Sequence, residues 1–107
     1  MYQGTTPTIP IRIKNANLID AKVHISLYDE QKKVLYDYES GRDFIVSQDG
    51  YDSVTSLSLT QEMTLGLGNG LISIQARYVF PDGGVGATNK QSIQVQSILN
   101  KEVLEYE

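Results

Sequence analysis

The sequence predicts an all-β domain folded as an antiparallel two-sheet sandwich, and three observations carry that prediction. Each long apolar segment alternates inward and outward residues with a period of two, the pattern of strands with one buried and one wet face. Turn-forming clusters such as Asp49-Gly50 and Pro81-Asp82-Gly83-Gly84 separate these segments at intervals suited to a sandwich. No helical pattern of roughly 10 to 15 residues lies between any two of them, which excludes parallel βαβ units.

The first strand places Ile9, Ile11 and Ile13 inward against Pro10, Arg12 and Lys14. Proline cannot donate to a ladder, so this strand belongs at a sheet edge. In the second strand Ala21, Val23, Ile25 and Leu27 alternate with Lys22, His24, Ser26 and Tyr28, and Asp29-Glu30-Gln31-Lys32 forms a polar turn. Val34, Tyr36 and Tyr38 mark a third strand that ends at Ser40-Gly41, and residues 43–47 a short fourth one, closed by Asp49-Gly50. Residues 53–59 make the fifth, with Leu57 and Leu59 inward.

Thr60-Gln61-Glu62-Met63-Thr64-Leu65 then reads as one helical turn, with Thr60 as N-cap and Gly66 as its stop. It is too short to stand alone and serves as the crossover between sheets. The sixth strand, residues 71–80, carries Ile72, Ile74, Ala76, Tyr78 and Phe80 on one face and Ser73, Gln75 and Arg77 on the other. It is predicted to be central, with Ile74 in the middle of the core. The returning strand turns Ile93 and Val95 inward against Gln94 and Gln96. The count is seven, and the expected fold is a seven-stranded immunoglobulin-like antiparallel β-sandwich. One domain covers residues 1–107, with an N-terminal arm at 1–6 and a C-terminal tail at 98–107.

A chain of 107 residues supports one hydrophobic core, and 40% apolar with 21% charged residues is ordinary globular composition. The net charge is −4, and Lys32-Lys33 is the only adjacent basic pair. A run of phosphates needs a basic stripe, so nucleic acid is not expected as a partner. There is no cysteine, which removes disulfides, thiolate nucleophiles and cysteine-ligated zinc. No apolar run approaches the roughly 18 to 20 residues of a spanning helix, and the opening residues lack a basic region followed by an apolar one. No membrane partner is expected, and synthesis is expected in the cytoplasm of the producing cell.

The lone histidine, His24, falls on the outward parity of its strand and has no second histidine or cysteine with which to bind zinc. No Gly-x-Ser-x-Gly elbow accompanies the many serines. Asp37, Glu39, Asp43, Asp49 and Asp52 cluster in sequence and raise calcium or a glycosidase pair. Their spacing does not match an EF-hand, and aspartates of this kind read as solvated turn residues. Gly66-Leu67-Gly68-Asn69-Gly70 closes a helical turn and opens a strand, the reverse of a phosphate-binding loop, and reads as a flexible connection. No catalytic residue, metal site or cofactor is expected, and the chain is read as not an enzyme.

What remains is binding. Tyr2, Tyr51 and Tyr106 lie at termini or loop edges, where amphipathic rings serve protein contacts or stack on sugars. Beyond Ser97, Leu99, Val103 and Tyr106 recur at three- and four-residue spacing, which would line one face of a short helix. That tail has three fates: docking on a neighbouring subunit, folding back as an added edge strand, or disorder. Leu99, Val103, Tyr106, Tyr2 and Tyr51 are therefore the candidate interaction residues.

Five short stretches also resemble a group of small proteins encoded by prophages of Gram-positive bacteria. They are Gly4-Thr5-Thr6-Pro7-Thr8, the segment from Leu59 to Leu65, Ile74-Gln75-Ala76-Arg77, Asp82-Gly83-Gly84 and Glu102-Val103-Leu104. The chain departs from that group at Ile9-Pro10-Ile11, where an aromatic residue is usual, and in a longer stretch over residues 37–51. The resemblance implies a non-enzymatic structural or adaptor protein of a tailed phage or prophage, in the tail, baseplate or fibre attachment. Its implied partners are phage structural proteins and copies of itself, and its place is the virion. The alternative is a carbohydrate- or host-surface-binding β-sandwich module.

Overall fold

Period-two alternation resolves into strands between Thr8 and Val95. A computed structural model describes residues 1–106 in this order: β1 (Thr8–Ile13), β2 (Lys22–Asp29), β3 (Val34–Glu39), β4 (Ser47–Asp49), β5 (Asp52–Ser58), α1 (Gln61–Leu65), β6 (Gly70–Val79), β7 (Val85–Ala87) and β8 (Gln91–Val95). One sheet has the order β1-β5-β4. The other runs β3-β2-β6, with β7 and β8 both on the far side of β6. All of these strand pairs are antiparallel.

The core lies between the sheets. Ile13 of β1 and Leu57 of β5 meet Val23, Ile25 and Leu27 of β2 and Ala76 of β6, with Leu18, Phe44 and Leu59 added from the connections. Each such side chain contributes about 1.5 to 3 kcal/mol when fully buried. A smaller cluster, Leu67, Ile72 and Val95, sits beside α1, and Met63 packs against both. Pro10 lies on an edge strand, as its missing donor requires, and β6 is central.

The strand count is eight, not seven, because the returning strand is broken by a bulge. Arg77 pairs with Ala87 and Ile74 with Gln91, so two residues of β6 face three of the returning chain. Thr88 repairs the ladder there. Its N–H donates to Ala76 O at 2.9 Å and its hydroxyl accepts from Ala76 N at 3.0 Å, while its own carbonyl accepts from Gln75 Nε2 at 2.8 Å.

The fourth strand begins where it was expected to end, at Ser47. Residues 41–46 instead carry the chain from one sheet to the other. Phe44 is buried in the core, and the Asp43 carboxylate accepts from Glu39 N at 2.8 Å. The hairpin into β5 turns on Gly50 and Tyr51, with Gly50 at φ +62°. A positive φ at the first central position is what a two-residue hairpin loop asks of glycine.

Ile74 is half-buried rather than central. It lies beneath the open side of the sandwich, in a groove between β1 and β8 that Ile9, Ile11 and Ile93 also line. The innermost residues of β6 are its neighbours on the same face, Ile72 and Ala76.

Candidate interaction surface

The helical turn α1 organises one end of the molecule. Thr60 caps it by accepting from Met63 N at 3.2 Å, and Thr64, fully buried, donates its hydroxyl to Thr5 O at 2.7 Å. That bond fixes the N-terminal segment against the helix. Residues 1–3 then run parallel to the end of β8: Gln96 N donates to Met1 O at 2.7 Å and Gln3 N to Gln96 O at 2.9 Å. Gln3 is buried, and its amide donates to Leu67 O at 2.5 Å.

The C-terminal segment joins the same end. Lys101 Nζ donates to Gln3 Oε1, and the Gln61 side chain clamps Leu104, donating to its carbonyl at 3.0 Å and accepting from its N–H at 2.6 Å. The helix expected from the Leu99, Val103 and Tyr106 spacing is not formed: residues 98–106 contain neither helix nor strand. The Gln61 amide of α1 and the buried Gln3 hold the segment in an irregular path with bends at Leu99 and Glu102 instead. Ile98 stays half-buried, whereas Leu99 and Tyr106 are completely exposed, Leu104 largely and Val103 partly. Glu107, the last residue of the tail, lies outside the described residues.

Of the five candidate residues, Tyr2, Leu99, Val103 and Tyr106 therefore belong to segments docked at this end, and Tyr2 is itself exposed. Tyr51 does not join them. It tips the β4–β5 hairpin, and the seven residues of β5 at about 3.3 Å each separate it from α1.

The acidic residues are engaged rather than simply solvated. Arg12 Nη2 donates to Asp49 at 2.6 Å and its Nη1 to Asp52 at 2.8 Å, and Asp52 also accepts from Asn15 N at 3.0 Å. The Asn15 amide first, and the Arg12 guanidinium second, hold the Asp52 carboxyl below its usual range. The Glu39 amide and Arg42 do the same for Asp43. Among the described residues, no three His, Asp or Glu side chains gather as a metal-holding group. His24 faces outward, with Nδ1 at 3.6 Å from Asp37.

Two side chains that organise this end escape the sequence reading. Asp29, assigned to a polar turn, is completely buried: its carboxylate accepts from Gln31 N, Lys32 N and, at 2.7 Å, Gly68 N. Its parity with Val23, Ile25 and Leu27 is the signal that marks it. The glycine run is accordingly packed, not flexible, since Leu67 is fully buried and a Cβ on Gly68 would stand 2.7 Å from Gln31 Cβ. Gln3 carries no sequence signal at all.

Among the described residues no helix is long and apolar enough to cross a membrane. Comparison with protein families, with curated proteins and with solved structures finds no match to this chain.

Proposed function

We propose that this chain is a non-enzymatic structural or adaptor protein of a tailed phage or prophage, acting in the tail, baseplate or fibre attachment. It docks through the end formed by the N-terminal segment, α1 and the C-terminal segment. One observation carries the reading. Three stretches that bear the prophage resemblance, at Gly4-Thr5, residues 59–65 and residues 102–104, lie far apart in sequence yet meet in this surface through the Thr64 and Gln61 bonds. The same surface holds Leu99 and Tyr106 fully exposed on a segment tied down at Lys101 and Leu104, which lowers the ordering cost of binding.

The partners in this reading are phage structural proteins, with further copies of the chain. The acidic balance and scattered basic residues favour protein over nucleic acid or membrane. The chain is made in the host bacterial cytoplasm and resides in the virion. A carbohydrate-binding role has less to rest on, because Tyr51, on the β4–β5 hairpin, stands apart from the segments that carry Tyr2 and Tyr106.

We read the fold itself as immunoglobulin-like. The order β4-β5-β1 facing β3-β2-β6-β7/β8 supports this, with β1 to β6 in the places of strands B, C, C′, D, E and F and the bulged β7/β8 in that of G. The parallel pairing of residues 1–3 beside β8 adds to it.

The test compares the full chain with one ending at Ser97, each co-expressed with the tail and baseplate proteins of its own prophage. The few hydrogen bonds that hold the segment contribute about 0.5 to 1.5 kcal/mol each, so the shortened chain is expected to stay folded with a lower Tm. It is expected to lose association with its partners. Undiminished binding by the shortened chain, or its unfolding, refutes the docking surface.

A further inference from the structure

The two sheets leave four strand edges, and three of them are blunted. On β1, Pro7 O accepts from Leu59 N at 3.0 Å, so with the antiparallel register Ile9, Ile11 and Ile13 bond to β5 while Thr8, Pro10 and Arg12 point their backbone groups outward. Pro10 then removes the central donor of that edge. The β7/β8 edge is interrupted by its bulge and covered at its end by residues 1–3. The β4 edge is only three residues long.

The β3 edge has no proline, bulge or covering segment from Val34 to Tyr38; only Glu39, at its end, is capped, by the Asp43 carboxylate. Ser40 N donates to Val23 O at 2.8 Å, so with the β2–β3 register Val34, Tyr36 and Tyr38 bond to β2, and Leu35 and Asp37 turn their N–H and C=O groups outward. Those groups have no partner among the described residues. Leu35 is 61% exposed opposite Tyr28, on a face that also carries Ser26 and Ser73, and Val34 is 40% exposed.

We propose that β3 pairs antiparallel with β3 of a second copy of this chain, about a two-fold axis at Leu35, joining two five-stranded sheets into one. The charges select that register. Centring the pair on Asp37 sets two carboxylates opposite each other, which is destabilising, and centring it on Tyr36 sets Leu35 against a carboxylate. Centring it on Leu35 places Leu35 beside its own copy, Val34 beside Tyr36, and the turn residue Lys33, at φ +56° just before β3, near Asp37 on both sides of the axis. Leu35 then exchanges both of its backbone bonds with its copy, and each Asp37 N–H meets a Lys33 carbonyl. This surface is separate from the C-terminal docking end, so truncation at Ser97 and changes in β3 test different claims.

The chain has no cysteine, so a single introduced thiol reports alone. In the proposed pair the two Leu35 Cα atoms stand about 5.5 Å apart, within disulfide reach, whereas the two Asp37 positions are too distant. Leu35→Cys is expected to oxidise to a dimer of twice 11.9 kDa, about tenfold faster than Val85→Cys on another edge, because pairing raises the effective thiol concentration. Asp37→Cys is expected to match the Val85→Cys background. Faster crosslinking at Asp37 than at Leu35 overturns the register, and background rates at both overturn the interface.

Leu35→Pro gives a second arm. The Leu35 N–H is unused in the β2 ladder, so proline there leaves the sheet intact and blocks the edge. In sedimentation, the unaltered chain is expected to approach the dimer mass as concentration rises, and Leu35→Pro to remain monomeric with an unchanged strand spectrum. If Leu35→Pro does not fold, Leu35→Lys makes the same block. Dimerisation of a folded blocked variant equal to that of the unaltered chain counts decisively against the proposal.

Discussion

The Asp29 carboxylate accepts the Gly68 amide hydrogen at 2.7 Å, and the connection from α1 into β6 is shaped around that bond. Asp29 ends the inward row of β2, where a side chain would ordinarily be apolar. It is compensated because the Gln31 and Lys32 amides and the Gly68 amide all donate to it. Glycine at 68 lets the backbone come that close.

Replacing Asp29 with Ala should accordingly destabilise the domain by about 3 kcal/mol or more, since it strands donors in a buried site. Asp29→Asn should cost less, because one acceptor oxygen is retained. Urea unfolding of both variants checks this. Equal, negligible losses would show that the three amides find water instead.

The two isoleucines of β6 should separate clearly. Ile72 has no exposed surface, so Ile72→Ala should cost about 2 to 5 kcal/mol through lost transfer energy and the cavity left behind. Ile74, half-buried under the open side of the sandwich, should cost less on the same substitution, because solvent already reaches part of it. Denaturant midpoints that rank Ile74 above Ile72 would contradict the placement of the groove.

Thr88 carries a prediction of its own. Thr88→Val keeps the shape of the side chain but removes the hydroxyl that accepts from Ala76 N. The expected loss is about 1 to 3 kcal/mol, the cost of an amide left without a partner. Faster hydrogen exchange at Ala76, with little change at Ile72, would locate the effect at the bulge.

These sites show where sequence reasoning reaches and where it stops. Alternation places Val23, Ile25, Leu27, Leu57 and Val95 inside, because strand parity is local and the core needs those faces. The same parity points to Asp29, yet composition argues for a turn there, and the distant Gly68 amide, which joins the local Gln31 and Lys32 amides on its carboxylate, is not visible in the sequence. The bulge is less legible still: nothing between Thr88 and Lys90 announces one extra residue, since register belongs to the pair of strands and not to either alone. The tail misleads for a similar reason. Its helical spacing is real, but Gln61 and Gln3 tie residues 98–106 down without a helix, and those contacts span the length of the chain. The prophage resemblance marks short stretches without saying that three of them would meet.

The last prediction concerns acid. Asp52 and Asp43 have carboxyl groups held below the ordinary range, by the Asn15 amide and Arg12 in one case and by the Glu39 amide and Arg42 in the other. A carboxylate depressed in the folded state is the weaker proton binder there, so the unfolded chain takes up more protons as pH falls. The stability these groups contribute is fully present above their unfolded value, about 3.9, and is lost as pH drops through the lower folded values. Arg12 is held more firmly protonated by Asp49 and Asp52 and stays charged throughout. Arg12→Ala removes the guanidinium from Asp52 while leaving the Asn15 bond and the more distant Lys14 ammonium, at 3.8 Å. Its Tm should therefore lie below that of the unaltered chain at neutral pH, and the gap should narrow as both are titrated below about pH 4. Two curves that run parallel to the acid limit would show that Arg12 acts through packing of its aliphatic stem and not through the Asp52 carboxylate.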